Sequence, residues 1–168
     1  MDASAARARY LVTLVGRYAT KESRILEVGS REGDNLASLW QAGFTHLEGL
    51  ESNAVKADTL EERHPDLAGA VGVTVGPIDE LTSGMEDAAF DLVFTVGFLF
   101  DRTGDYGWLF PELARLTRSH LVSIEEESAR SFKDIYEGLG LKEVEAADLG
   151  EKEELDSVFF ARVFEKAP

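Results

Sequence analysis

Short apolar runs alternate with helical stretches along nearly the whole chain, and this alternation restricts the fold more than any other feature. Ala5 to Tyr18 has the spacing of a helix, Arg24 to Val28 that of a strand, and Asn35 to Gln41 that of a helix with Leu36, Leu39 and Trp40 on one face and Gly43 beyond its end. "THLEGLE" follows as a strand, Asn53 is placed to cap a helix running to His64 before Pro65, and "AVGVTV" is a third strand with β-branched alternation. "FDLVFTV", residues 90–96, is the most apolar run and is expected to be buried on both faces, as parallel strands are. A helix from Trp108 to Thr117 leads to the strand "HLVSIE", and Ala129 to Leu139 reads as helical before Gly140.

The end of the chain breaks this rhythm. "LKEVEAAD" and "DSVFFARVF" are separated by too few residues for a helical crossover, so they are expected to pair as an antiparallel hairpin. No internal repeat, low-complexity tract or Pro/Gly/Ser linker interrupts the pattern. The expectation is a single domain over residues 1–168, with residues 1–23 forming a helix that precedes a doubly wound α/β sheet. Such a sheet binds its ligand beyond the carboxyl ends of its strands, here after Val28, Glu51, Val75, Val96 and Ile124. His46 and His120, read as preceding their strands, fall at the wrong edge, and His64 ends a surface helix, so all three are read as structural.

Charge narrows the partners. With 32 acidic against 17 basic residues the net charge is −15, which opposes binding to the phosphates of nucleic acids. No stretch approaches the length of a membrane span, and the first residues lack the continuous apolar core of a secretory signal, so a cytoplasmic acidic protein with no membrane partner is expected. The absence of cysteine removes thiolate nucleophiles and zinc–cysteine sites together.

The chemistry is concentrated in "RILEVGSREGDN", where a strand runs into a loop with glycines at Gly29 and Gly33. A glycine-rich strand-to-helix turn commonly cradles a phosphate. Here Glu27, Glu32 and Asp34 would repel a diphosphate, and the spacing is not that of dinucleotide folds, so a ligand bearing ammonium or sulfonium charge is favoured over NAD or FAD. Glu51 ends the next strand 18 positions after Gly33, where a carboxylate can accept hydrogen bonds from both ribose hydroxyls of a nucleoside.

Together, "LEVGSREG", Glu51 after "HLEGL", "GPIDEL" after the third strand and "FDLVFTVGFLF" resemble the class I S-adenosylmethionine-dependent methyltransferases, from Arg24 to Lys166. "ILEVGSREGDNLASL" and "DLVFTVGFLF" are also faintly similar to small methylases of pseudaminic-acid and other surface-sugar biosynthesis. The resemblance implies a Rossmann-like, mostly parallel seven-stranded sheet closed by a C-terminal antiparallel hairpin. It implies S-adenosyl-L-methionine as cofactor and S-adenosyl-L-homocysteine as product. It sets the methionine moiety over Gly29, Ser30 and Gly33 with Glu27 near its amine, the ribose on Glu51 beside Ser52, the adenine against Pro77, Ile78 and Asp79, and the methyl donor along Thr95, Val96 and Gly97. Ser30 replaces a second glycine of many members, and Pro77 an acidic residue.

No catalytic residue follows from the resemblance. Methyl transfer from a sulfonium needs mainly alignment, plus a base when the nucleophile is a hydroxyl. Asp101, Tyr106, Glu125 and Glu126 are the candidates near the expected methyl, alongside Asp105 and Glu127. Asp101 with Glu125 or Glu126 has oxygen ligands suited to Mg²⁺, but a further ligand is lacking, and no metal is expected. The segment after the fourth strand lacks the Asn/Asp-Pro-Pro-aromatic sequence used on exocyclic base amines. The sequence therefore points to methyl transfer onto a small-molecule or sugar-type acceptor, or alternatively to a non-catalytic module of this fold that binds S-adenosylmethionine or a nucleoside.

Overall fold

The computed structural model describes residues 3–67, 69–99, 106–126, 131–149 and 159–168. The chain falls into two compact units, Met1–Met85 and Glu86–Pro168.

The first unit opens with α1 (Ala3–Tyr18) and continues through β1 (Ile25–Val28), α2 (Asp34–Gln41), β2 (Leu47–Glu51), α3 (Ala54–Arg63), a 3-10 turn at Pro65–Leu67, β3 (Gly72–Val75) and α4 (Ile78–Ser83). Its strands lie in the order β3-β2-β1, all parallel, with Glu27 opposite Gly49 and Glu51 opposite Val75. β1 is buried along its whole length, as expected for a parallel strand covered on both faces, whereas β3 is largely exposed. Leu11, Leu14 and Val15 of α1 and Leu36 and Leu39 of α2 are buried at helical spacing, while Trp40 is only half-buried. Lys21 donates to the Ala42 carbonyl at 2.6 Å just beyond α2 and stands over the Phe44 ring at 3.6 Å, placing a cation at the negative end of the helix dipole. Asn53 caps α3 as its sequence position predicts, accepting from the backbone N–H groups of Val55 and Lys56. The short α4 was not expected. Pro77 starts it with its preset backbone, and Asp79 and Glu80 occupy its first turn, where negative charge suits the dipole.

The second unit contains β4 (Phe90–Val96), α5 (Leu109–Leu116), β5 (Thr117–Glu126), α6 (Phe132–Gly138), β6 (Leu141–Asp148) and β7 (Phe159–Lys166). Its strand order is β4-β5-β7-β6, with β4 and β5 parallel and β7 antiparallel to both of its neighbours, so the predicted terminal hairpin is present. Seven strands are thus present among the described residues, in a mixed arrangement with parallel pairs early in the chain and antiparallel pairs late. "FDLVFTV" forms β4 and is buried as expected. α5 buries Leu109, Phe110, Leu113, Ala114 and Leu116, and Phe110, Tyr136 and Phe164 join in an aromatic cluster with ring centroids 5.5 and 4.8 Å apart. Lys166 donates to the carbonyls of Ala114 and Thr117 at 2.7 and 2.9 Å, closing the C-terminus of α5.

One placement differs from expectation. β5 begins at Thr117, so His120 lies inside the strand instead of before it; Thr117, read from sequence as the last residue of a helix, has extended backbone. Burial lowers the pKa of His120. His64 is the C-cap of α3, and its Nε2 lies 2.8 Å from Asp34 Oδ1.

Candidate functional site

At the end of β1 the chain turns sharply. Gly29 and Gly33 have φ of 85° and 80°, and Arg31 between them is also left-handed at 50°. The backbone N–H groups of Gly29 and Ser30 both donate to the Leu50 carbonyl, at 2.8 and 3.0 Å, so the loop stays fastened to β2 after β1 has ended. Gly33 has a second constraint besides its φ. A Cβ there would stand 2.3 Å from Leu60 Cδ1 of α3. Gly49, opposite Glu27, is also confined: a Cβ would meet Leu36 at 2.9 Å and Ser30 at 3.0 Å. The missing side chain at Gly49 leaves room for that of Ser30.

Two acidic side chains stand near the ends of β1 and β2, and both are buried. Glu51 is engaged through each oxygen: Arg31 N–H donates to Oε2 and Asn53 N–H to Oε1, both at 2.8 Å. Its remaining lone pairs leave capacity for further donors. Glu27 is held on one side only. Asn35 Nδ2 donates to Oε1 at 2.7 Å, whereas Oε2 is buried without a hydrogen-bond partner, as is Ser30 Oγ nearby on the same loop. Burial pushes Glu27 up to about 8; the Asn35 hydrogen bond and the Arg31 charge oppose that shift, and Glu51 and Asp34 add to it. An unsatisfied buried oxygen costs about 1–3 kcal/mol, so a donor delivered by a ligand is stabilised there.

The other loop carboxylates do not share this role. Asp34 is turned to Arg63 and His64, at 3.1 and 2.8 Å, and Glu32 is half-buried. Of Glu27, Glu32 and Asp34, Glu27 alone has a buried oxygen without a hydrogen-bond partner. Ser52, Pro77 and Asp79 are exposed, and Ile78 is buried.

The second unit repeats the device of a carboxylate clamp. Gly97, with φ 56°, follows β4 and donates to the Ile124 carbonyl at 2.9 Å. Glu125, fully buried near the end of β5, accepts from the N–H groups of Phe98 and Leu99 at 3.2 and 3.0 Å. Thr95 and Val96 are buried at the end of β4, and Thr95 Oγ1 has no hydrogen-bond partner. Tyr106 is half-buried with its ring 6.2 Å from that of Trp108, and Glu126 is half-buried at the last position of β5. Asp101, Asp105 and Glu127 lie outside the described residues. Among the described residues no group of three or more histidines and acids is placed to hold a metal ion, and no helix is long and apolar enough to cross a membrane.

Sequence reading missed Asn35 and Gly49. Asn35 is recognisable only once α2 is known to start at Asp34, which brings its first turn beside the end of β1; Gly49 has a signal in being the one residue without a side chain in "LEGLE".

No known family model matches the sequence, and no curated protein is similar to it at the sequence level. Solved structures do match. A geranyl diphosphate C-methyltransferase from Streptomyces coelicolor, solved with Mg²⁺, geranyl diphosphate and S-adenosyl-L-homocysteine, matches with a TM-score of 0.77 at 14% identity, over 96% of this chain and 77% of its own. A 1,6-didemethyltoxoflavin-N1-methyltransferase from Burkholderia thailandensis, with 1,6-didemethyltoxoflavin and S-adenosylhomocysteine bound, gives 0.72 at 15% identity over 99% and 80%. A TehB-like S-adenosylmethionine-dependent methyltransferase from Corynebacterium glutamicum gives 0.70 at 19% identity over 94% and 87%. With its alternating elements and its reversed last strand, the chain has the fold of the class I S-adenosylmethionine-dependent methyltransferases.

Proposed function

We propose that this protein is an S-adenosylmethionine-dependent methyltransferase acting on a small-molecule or sugar-type acceptor, with residues 1–168 working as one domain. The observation that carries the reading is the pair of buried acids Glu27 and Glu51 at successive strand ends, one of them with an unsatisfied oxygen. Glu27 Oε2 suits the cofactor's α-ammonium, and Glu51 suits the ribose hydroxyls while it holds the two loops that border it. Gly29, Ser30 and Gly33 shape the bed for the methionine moiety, with Ser52 beside the ribose. Pro77, Ile78 and Asp79 are assigned to the adenine, and Thr95, Val96 and Gly97 to the methyl donor, on the resemblance.

When bound, the cofactor supplies an electrophilic methyl on a sulfonium. The protein's task is then alignment of an acceptor in line with that carbon and exclusion of water. Glu125 is committed to the backbone of Phe98 and Leu99, which makes it a support for the loop after β4 and leaves Tyr106, Glu126 and Asp101 as the candidate bases. A charge of −15 favours neutral or cationic acceptors over nucleic acid. The solved neighbours named above that have an acceptor bound carry small molecules, which supports the same class.

The commitment of Glu125 also favours a second reading, a cofactor-binding module without turnover. Incubation with methyl-labelled S-adenosylmethionine and a panel of sugars, amines and phenols separates the two. Acceptor-dependent formation of S-adenosylhomocysteine is the expected result; binding without turnover on every acceptor would favour the module.

A further inference from the structure

Asn35 stands in the first turn of α2, two residues past Gly33, and its amide donates to Glu27 Oε1 at 2.7 Å. The carbonyl oxygen of a protonated carboxyl is a better acceptor than its hydroxyl oxygen, so the amide favours the tautomer in which Oε1 is the carbonyl. The other oxygen, Oε2, is buried without a hydrogen-bond partner. We propose that Asn35 is a positioning residue for the cofactor's amine: it fixes the Glu27 carboxyl so that Oε2 holds the proton in the free protein and takes the ligand's ammonium in the complex. This inference rests on the methyltransferase reading and adds a regulation to it, since uptake of the cofactor is then linked to pH.

The proton balance is simple. When a ligand with a protonated amine binds, the Oε2 proton leaves to solvent and a carboxylate–ammonium pair remains; when the amine arrives neutral, the Oε2 proton passes to it and none is released. Burial pushes Glu27 up to about 8, and the Asn35 hydrogen bond is the largest contribution holding it down. Arg31 acts in the same direction, and Glu51 and Asp34 act against it. Removing the amide therefore leaves the acid harder to ionise, so the variant needs a higher pH to accept the same ligand.

The test is calorimetric titration of the full chain with S-adenosylhomocysteine from pH 6.5 to 9, in buffers of different ionisation heat. Wild type is expected to release a large fraction of a proton per ligand at pH 7, and Glu27→Gln none. Asn35→Ala is expected to bind about tenfold more weakly at pH 7, the scale of a lost hydrogen bond to a charged group, with the gap closing at higher pH. The thioether 5′-methylthioadenosine lacks the amine, and its affinity is expected to be the same in wild type and Asn35→Ala. Ser38→Ala, which removes a hydrogen bond to the Asp34 carbonyl one turn along α2, is expected to leave the pH profile of wild type unchanged. An equal loss at every pH, or an equal loss for the methylthioadenosine, would overturn the positioning role. A wild-type protein that binds no S-adenosylhomocysteine would overturn the methyltransferase reading itself, and this inference with it.

Discussion

The backbone N–H of Arg31 donates to Glu51 Oε2 at 2.8 Å, fastening the glycine loop after β1 to the end of β2. The same carboxylate accepts from Asn53 at 2.8 Å, immediately before α3. Glu51→Ala leaves two backbone donors without their charged acceptor. The expected loss of stability is about 2–4 kcal/mol by chemical denaturation. In protein that remains folded, cofactor binding is expected to weaken by about 1.5–3 kcal/mol. Unchanged cofactor affinity in the folded variant would overturn the proposal that Glu51 holds a ribose.

Glu27 makes stability depend on pH. Its folded pKa of about 8 lies above the unfolded carboxylate value of 4.5, so the native state binds the extra proton between these values. The contribution of Glu27 to stability is therefore full below about pH 4.5, falls as pH rises, and levels off above pH 8. Glu27→Gln should flatten this slope and be more stable than wild type at pH 9, by about 2–5 kcal/mol. Parallel denaturation curves at pH 5 and pH 9 for the two proteins check it; identical slopes would mean that Glu27 is ionised in the native state.

Gly33→Ala meets two obstacles, a left-handed φ of 80° and Leu60 Cδ1 at 2.3 Å from the new methyl. The expected cost is about 2–4 kcal/mol. The double variant Gly33→Ala/Leu60→Ala removes the clash and keeps the backbone strain. It should therefore be less destabilised than the sum of the single changes. Simple additivity would show that α3 moves aside without cost.

Lys166→Met keeps the length of the side chain and removes the donor that closes α5 against Ala114 and Thr117. A loss of about 1–2 kcal/mol in urea denaturation is expected. A change within about 0.5 kcal/mol would make the contact a surface ornament.

The alternation of elements was legible because a crossover helix and a buried strand leave different periodicities, and the terminal hairpin because its connection is too short to cross the sheet. Glu27 and Glu51 were legible as acids where the pattern demands strand ends. What Glu51 does was not: its hydrogen bonds to Arg31 and Asn53 depend on two turns that propensity does not specify. The same holds for Glu125, whose oxygens accept from the backbone of Phe98 and Leu99, contacts that its place in the sequence does not reveal. α4 was missed because its 6 residues are too few for a helical period to show. His120 was displaced because Thr117, at the end of an apolar helical stretch, turns directly into β5 with no intervening loop residue.

The loop after β1 and the end of β2 are proposed to hold S-adenosylmethionine. Calorimetric titration of the purified protein with S-adenosylmethionine, S-adenosylhomocysteine and NAD, at low and high salt, tests it most directly. Micromolar binding of the first two and none of NAD is the expected result. Binding of NAD in preference, or of none of the three, would contradict it.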